Sequence, residues 1–359
     1  MSSQQSTISS IALTRLALFP YDPTGNREII RYKKYVWTRD VEITKRKGLP
    51  GYVGANLDFH YDDYACDCPY DISELESIDR QRLFYNRVPK CGSTTLITLI
   101  RKLAVKNNYI HFNSKIYDRK NVGEEEQRRI VKQVKSTPSP CSFDRHVFFI
   151  NFTKFGASPP IFINIIREPV ERIISSFFYR RMVARQNKTK VKPSAYWLNK
   201  KFEHCVLTPD PECTFLEGHN YSVLQLPYFC GQEPECQMLN DDGALQKAKQ
   251  NIEKYYAVVG TLEDMNMTLQ VLEAVLPHFF RGAYHVYHNL GVHRNQNLHK
   301  EHVKEEVKEV LRANLTAEYE LYYFVQQRLY QQYQTLVEET QKNQYKFSFT
   351  SLDQLLDYQ

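Results

Sequence analysis

The residues best suited to chemistry stand together in one segment, Arg87-Val-Pro-Lys-Cys-Gly-Ser-Thr-Thr95. A short apolar run at 82–85 predicts a buried strand before it, and apolar residues at helical spacing over 93–103 predict a helix after it. A glycine-containing loop between a strand and a helix presents unpaired helical N–H groups to an anion. The segment therefore predicts an anion-binding loop, to which Lys90 adds a positive charge.

The order of residues in this loop differs from that of nucleoside triphosphatases, whose loop is G-x-x-x-x-G-K-[ST]. Here Lys90 precedes Gly92, and the loop has no earlier glycine. The hydroxyl that holds Mg²⁺ directly after Gly-Lys is therefore missing. Metal-dependent nucleotide chemistry is disfavoured, while a capped helix that binds no ligand stays open from this segment alone.

A second anion-binding element follows the continuous apolar run at 160–166, which is typical of a central parallel strand. Arg167 ends the run, and Ser175 lies on the helix predicted over 170–181. An arginine at the carboxyl end of a parallel strand lies in the crevice where α/β sheets bind ligands, and its guanidinium binds oxyanions through two N–H groups. Two such elements on neighbouring strands predict a nucleotide that carries two phosphates.

The remaining patterns predict a sheet covered by helices. Further strands are predicted at 147–152 and 256–260, and further helices at 244–255, 262–276 and, interrupted near Asn314, 303–339. Strands that alternate with helices indicate an α/β fold with a central parallel sheet. We predict an irregular N-terminal stem or wrap over 1–80, the folded domain over 81–340 and a tail over 341–359.

Charge and apolar content bear on the partners of the chain. Its 359 residues carry a formal net charge of +6, which fits a polyanionic partner without choosing between nucleic acid, anionic membrane and acidic polysaccharide. No run of about 18 apolar residues occurs, so no membrane anchor is predicted in this chain.

Cysteines and sequons favour an oxidising lumen. None of the eight cysteines forms a C-x-x-C pair, so no zinc site is predicted, and four of them fall in two close pairs whose spacing suits short-loop disulfides. Five N-x-[ST] sequons predict glycosylation sites. They are at Asn151, Asn187, Asn220, Asn266 and Asn314.

Four motifs in the same order resemble those of the uronyl and heparan sulfate 2-O-sulfotransferases of the Golgi. Residues 85–95 resemble their 5′-phosphosulfate loop and 163–175 their 3′-phosphate motif, while 145–156 and 227–232 narrow the resemblance to this family. The resemblance covers roughly residues 82–335. It implies the P-loop-like three-layer sandwich of sulfotransferases that use 3′-phosphoadenosine 5′-phosphosulfate (PAPS).

The resemblance implies that PAPS is the sulfuryl donor and that no metal is required. Lys90 would stabilise charge on the leaving oxygen, and His146 would be the general base for the acceptor hydroxyl. The residues implied to bind the donor are Arg87, Lys90, Cys91, Gly92, Ser93, Thr94, Thr95, Arg167, Ser175 and, in a loop that closes over the donor, Arg294. The implied disulfides are Cys205–Cys213 and Cys230–Cys236.

The resemblance also implies an acceptor, the 2-hydroxyl of a uronic acid or related sugar in a glycosaminoglycan or glycoprotein glycan. Nucleic acid is not an expected partner, whereas a homo-oligomer and a type II membrane location in the Golgi lumen are expected. His111, Arg101 and Arg181 are expected to contact the acceptor. Asp144 departs from the heparan enzyme, which has a second histidine there.

Two alternatives remain beside this prediction. One is a nucleotide kinase or nucleoside triphosphatase, against which the missing Gly-Lys-[ST] argues. The other is a non-catalytic glycan-binding protein that keeps the sulfotransferase fold. The joint presence of Lys90, His146, Arg167 and Ser175 weighs against the second.

Overall fold

The computed structural model describes residues 30–32, 35–37, 78–117, 119–186, 193–208, 210–289 and 301–356, with the backbone alone for 30–37 and 342–356. Its contacts divide the chain into two units, 1–63 and 64–359. In the first unit, strand β1 (Ile30–Tyr32) pairs antiparallel with β2 (Tyr35–Trp37).

The second unit is built on a five-stranded, all-parallel sheet in the order β4-β5-β3-β6-β7. Its strands are β3 (Asp79–Asn86), β4 (Ile110–Asn113), β5 (Cys141–Arg145), β6 (Pro160–Ile166) and β7 (Tyr256–Thr261). All seven residues of β6 are buried, as expected of an inner parallel strand. The predicted α/β fold with a central parallel sheet is confirmed.

Helices connect and cover the strands. Those described are α1 (Ser93–Lys106), α2 (Glu124–Ser136), α3 (Pro169–Gln186), α4 (Ala195–Asn199), α5 (Phe202–Leu207), α6 (Pro227–Cys230), α7 (Asp242–Tyr255), α8 (Met265–Val275), α9 (Pro277–Phe280), α10 (Ala283–Asn289), α11 (Glu305–Asn314) and α12 (Thr316–Leu356). Short 3₁₀ turns lie at Phe152–Phe155 and Pro234–Gln237.

Alternate residues of the strands supply two separate cores. Phe84 of β3 belongs to the cluster on one face of the sheet, together with buried residues of α2 and α7. Leu83 and Tyr85 belong to the cluster on the other face, together with α1 and α8. This alternation follows from the two-residue period of a strand, and it gives three layers, helix, sheet and helix.

The strand predicted at 147–152 is wrong. The strand in this region is β5, which ends at Arg145, and the apolar residues after it are buried outside the sheet. The N–H of Phe148 donates to the carbonyl of Lys120, and that of Phe149 to the carbonyl of Pro227. Their backbone thus bonds to a loop and to the first residue of α6 rather than to a neighbouring strand.

The C-terminal helical region is interrupted as predicted, because α11 ends at Asn314 and α12 begins at Thr316. Helix α12 continues to Leu356, through most of the region predicted as a tail. Within the described part of the chain, no helix is both long and apolar enough to cross a membrane.

Candidate active site

Three neighbouring strands each deliver a site residue directly after their last residue. Arg87 follows β3, His146 follows β5 and Arg167 follows β6. Since β3 lies between β5 and β6, these residues share the carboxyl edge of the sheet. This edge is where open parallel sheets bind ligands.

The loop after β3 leads into α1 without a capping side chain. Gly92, the residue before the helix, has φ 76°, and no side chain accepts a hydrogen bond from the first turn. A Cβ at Gly92 would lie 2.7 Å from Cδ1 of Leu262, so the loop also needs glycine for space. The uncapped N–H groups at the start of α1 are donors that an anion can satisfy.

Lys90 brings a positive charge to this loop in an uncommon backbone conformation, with φ 68°. Burial, and secondarily the charge of Arg167, lower the pKa of Lys90 to about 8. The neighbouring Cys91 is a fully buried thiol whose pKa is raised to about 12 by burial, so it stays protonated at neutral pH. Cys91 therefore packs inside the loop and is not a nucleophile.

The hydrogen bonds made by the guanidinium of Arg167 are long. Nη1 lies 3.5 Å from the carbonyl of Lys90, and Nη2 lies 3.5 Å from a carboxylate oxygen of Glu171. Both distances are long for hydrogen bonds, so an oxyanion with better geometry can take these donors. Ser175 lies half-buried on α3, the helix that starts two residues after Arg167.

The side chain of Gln225 joins the two anion-binding elements. It accepts a hydrogen bond from the N–H of Arg167 at 3.1 Å and donates to its carbonyl at 2.8 Å, while Sγ of Cys91 lies 3.3 Å from its amide oxygen. The backbone N–H of Gln225 donates to the buried carboxylate of Glu318 on α12. The start of α12 thus fixes the bridge between the loops.

His146 is buried at the edge of the site with one ring nitrogen fixed. Its Nδ1 lies 2.8 Å from the carbonyl of Arg87, which can only accept, so Nδ1 carries the proton and Nε2 is free to accept one. Burial and the charge of Arg87 lower the pKa of His146 to about 4. The ring is therefore neutral at physiological pH, in the tautomer that a general base needs at Nε2.

The buried carboxylate of Asp144, on β5, lies close to His146. Its Oδ2 lies 3.1 Å from Nε of Arg87, and its Oδ1 accepts a hydrogen bond from Asn113 at 2.7 Å. Nε2 of His111 lies 2.9 Å from Oδ1, but neither this contact nor that of Arg87 has the angle of a hydrogen bond. Nη2 of Arg87 has no hydrogen-bond partner among the described residues although the side chain is 3% exposed.

Several residues at this edge were not singled out by sequence reasoning as parts of the site. Tyr117 places its ring 6.1 Å from that of His146 and 5.6 Å from the guanidinium of Arg87. Lys120 donates to the carbonyl of Ser222, and burial lowers its pKa to about 8. Neither residue lies in a recognisable sequence motif, so only the folded structure shows that they lie near His146.

The residues expected to contact the acceptor lie apart from one another. His111 is nearly buried, with Nδ1 2.8 Å from Oγ of Ser142, and it contacts β5 rather than solvent. Arg101 is exposed on α1. Arg181 is 2% exposed, donates to both carboxylate oxygens of Glu212 and stacks on Phe177. The charge of Arg181 is thus paired inside the fold, and its contact with the acceptor stays a prediction.

The predicted disulfides and glycosylation sites can be located in the structure. The structure contains the disulfides Cys205–Cys213 and Cys230–Cys236. Four of the five sequon asparagines are exposed, and Asn187 lies outside the described residues, as does Arg294. The residues of the four described sequons are Asn151, Asn220, Asn266 and Asn314.

These features fit a doubly anionic ligand. The uncapped start of α1, the loosely held Arg167 and the unpartnered Nη2 of Arg87 all offer donors at one edge of the sheet. Such a constellation can bind two phosphate groups, and Nε2 of His146 is free to accept a proton at the same edge. The arrangement suits the transfer of an anionic group to a hydroxyl.

Comparison with known proteins identifies the family of this chain. The model described as the sulfotransferase family matches residues 75–325, and the chain belongs to this family. It is 38% identical over 274 residues to the "Uronyl 2-sulfotransferase homolog pip" of Drosophila melanogaster, covering 71% of this chain and 53% of that protein. It is 33% identical over 258 residues to human uronyl 2-sulfotransferase, covering 69% and 62%.

A further relative is the heparan sulfate 2-O-sulfotransferase 1 of Xenopus laevis, 35% identical over 210 residues, which are 57% of each chain. The chain thus spans between about half and two thirds of the length of these curated relatives. The matched region contains β3, β5 and β6 and therefore all three strand ends of the site.

Proposed function

We propose that this protein transfers a sulfuryl group from PAPS to the 2-hydroxyl of a uronic acid, or related sugar, in a glycosaminoglycan or glycoprotein glycan. The names of its relatives, uronyl 2-sulfotransferase and heparan sulfate 2-O-sulfotransferase, support this acceptor. The observation that carries the proposal is the meeting of Arg87, His146 and Arg167 at three adjacent strand ends.

In this proposal the donor is held by main-chain N–H groups and cations. The start of α1 and Lys90 face the 5′-phosphate, and Arg167 with Ser175 binds the 3′-phosphate. PAPS, when bound, supplies an electrophilic sulfur and a phosphate leaving group. Lys90 stabilises the negative charge that develops on the leaving oxygen.

The base acts on the acceptor. Nε2 of His146 accepts the proton of the sugar hydroxyl while that oxygen attacks sulfur in line with the leaving phosphate, so one O–S bond forms as another breaks. Arg87 contributes through its carbonyl, which keeps the proton on Nδ1. The donor's negative charge beside the ring would raise the pKa of His146 above its value in the free protein.

The test is incubation with labelled PAPS and a panel of glycans, followed by disaccharide analysis. We expect label on the 2-oxygen of a uronic acid. The His146→Ala variant should lose transfer and still bind 3′-phosphoadenosine 5′-phosphate. Full turnover in that variant would refute the role of His146 as base.

Two other results would support the alternatives. Binding of glycans without transfer to any of them would favour a non-catalytic glycan-binding protein. Turnover of ATP that depends on Mg²⁺ would favour a nucleoside triphosphatase.

We also propose that the protein works in the Golgi lumen as a type II membrane protein. The two disulfides suit an oxidising compartment, where such bonds persist. Expression in secretory cells, with a mass shift on glycosidase treatment, would test this location. The homo-oligomer stays a prediction.

A further inference from the structure

The ammonium group of Lys90 lies on an aromatic ring. Nζ of Lys90 is 3.5 Å from the centroid of the Tyr179 ring, well within the range of a cation–π contact. Tyr179 lies on α3 four residues after Ser175, so both side chains project from the same face of that helix. The ring is 43% exposed, so solvent reaches it beside Lys90.

The surroundings of Lys90 otherwise disfavour its charge. It is partly buried, Arg167 carries a like charge nearby, and the thiol of Cys91 stays neutral. Lys90 has no salt bridge among the described residues, and Glu171, the acidic group close to Arg167, also pairs with Lys308 on α11. The ring of Tyr179 is thus a group beside Lys90 that favours the ammonium form.

An aromatic ring suits this place better than a carboxylate would. A carboxylate would hold Lys90 by full charge and would compete with the phosphates of an incoming donor. It would also remain as a like charge beside those phosphates. A ring attracts the ammonium without carrying net charge, so a phosphate can take the lysine over easily.

We propose that Tyr179 is a positioning residue for Lys90, whose ring keeps the ammonium charged and beside the donor loop until the donor's phosphate takes it. This rests on the proposed function in one respect, namely that Lys90 acts on a leaving phosphate. The contact itself is a property of the donor-free protein and can be measured without any reaction.

The first measurement is the pKa of Lys90 in the donor-free protein, from a titration of carbon-13-labelled lysine side chains with the Lys90 resonance assigned by its loss in K90R. In Tyr179→Leu we expect this pKa to fall by about half a unit, since the ring no longer favours the charged form. Tyr179→Phe keeps the ring and should restore the wild-type titration. The matched control is Tyr196→Leu, which removes an exposed ring 5.4 Å from Nζ of a different lysine, Lys200.

The second measurement is the pH dependence of kcat/KM for the donor. Protonated Lys90 is the active form, so the rate falls as pH rises through its pKa. The alkaline limb in Tyr179→Leu should therefore move to lower pH by the same half unit or so, whereas Tyr179→Phe should keep the wild-type limb.

The two measurements distinguish the role of the Tyr179 ring from the proposed function. An unchanged Lys90 titration in Tyr179→Leu, or an equal shift in Tyr179→Phe, overturns the role of the ring. The expected shift in a protein that transfers sulfuryl groups to no glycan overturns the proposed function and leaves the contact supported. The expected shift in both the titration and the alkaline limb supports both.

Discussion

At the scale of single residues, His146 is a histidine that burial keeps neutral. A histidine in the unfolded chain has a pKa near 6.5, whereas the pKa of buried His146 is about 4. Between these values the unfolded chain binds a proton that the folded protein does not. Stability therefore falls as pH drops through this window and is unaffected by His146 above it.

This gives a testable pH dependence. Between about pH 7.5 and about pH 5, the wild-type protein should lose about 2 kcal/mol more unfolding free energy than His146→Gln, which cannot bind the proton. Urea unfolding at the two pH values measures the difference. Equal losses in both proteins would show that His146 is not shielded from water.

Asp144 is the second residue whose burial has a measurable consequence. Asp144→Asn keeps the shape and one oxygen but leaves the buried guanidinium of Arg87 without its carboxylate, which should cost about 3 kcal/mol in urea unfolding. The control is Glu124→Gln, which breaks an exposed pair with Arg128 and should cost less than about 0.5 kcal/mol. Similar costs for the two variants would contradict the buried pairing.

The strand and helix boundaries around the site could be predicted from the sequence where the relevant residues are neighbours in the chain. Lys90 and Gly92 are two residues apart in a loop bounded by apolar runs, and Arg167 directly follows one. The contact of Asp144 with Arg87 joins residues 57 positions apart, and no local pattern encodes it. The pairing of Arg181 with Glu212 could not be predicted for the same reason, because these residues lie 31 positions apart.

At the scale of elements, strand β5 shows why the apolar pattern misled. Its sequence, Cys-Ser-Phe-Asp-Arg, is polar yet wholly buried, since its polar groups pair with β4, α2 and the residue after β3. The apolar residues that follow fill the core from a loop. In strand β6, in contrast, Asn164 is the one residue with a polar side chain, and the predicted bounds of the strand were correct.

The turn into α1 gives a prediction at this scale. Gly92→Ala should lower both stability, by about 2 kcal/mol, and the affinity for 3′-phosphoadenosine 5′-phosphate, because the left-handed φ and the contact with Leu262 both oppose a Cβ. Calorimetry and urea unfolding measure the two losses. Adding Leu262→Ala should relieve the contact and leave the backbone strain.

The matched control for this turn is Gly123→Ala, at the residue before α2. There φ is −61° and nothing lies within 4 Å of the added Cβ. We expect no loss of stability and unchanged nucleotide binding. A loss equal to that of Gly92→Ala would mean that glycine is needed before any helix of this fold, not for the anion loop.

At the scale of the whole molecule, the net charge of +6 bears on the acceptor. If the acceptor is a polyanionic glycan, kcat/KM for it should fall as ionic strength rises, while kcat at saturating acceptor changes little, because salt screens the encounter. Initial rates over a salt series measure this. A short acceptor with fewer charges should give a shallower slope, and equal slopes would contradict electrostatic steering.

The order of the strands bears on how such a chain can diversify over evolutionary time. Arg87 and Arg167 follow β3 and β6, which have strands on both sides, whereas β4 lies at the rim with a partner on one side only. His111 and Asn113, which contact Asp144, come from that rim strand. Changes there disturb one neighbouring strand rather than two, so over evolutionary time β4 can vary more freely than β3 and β6.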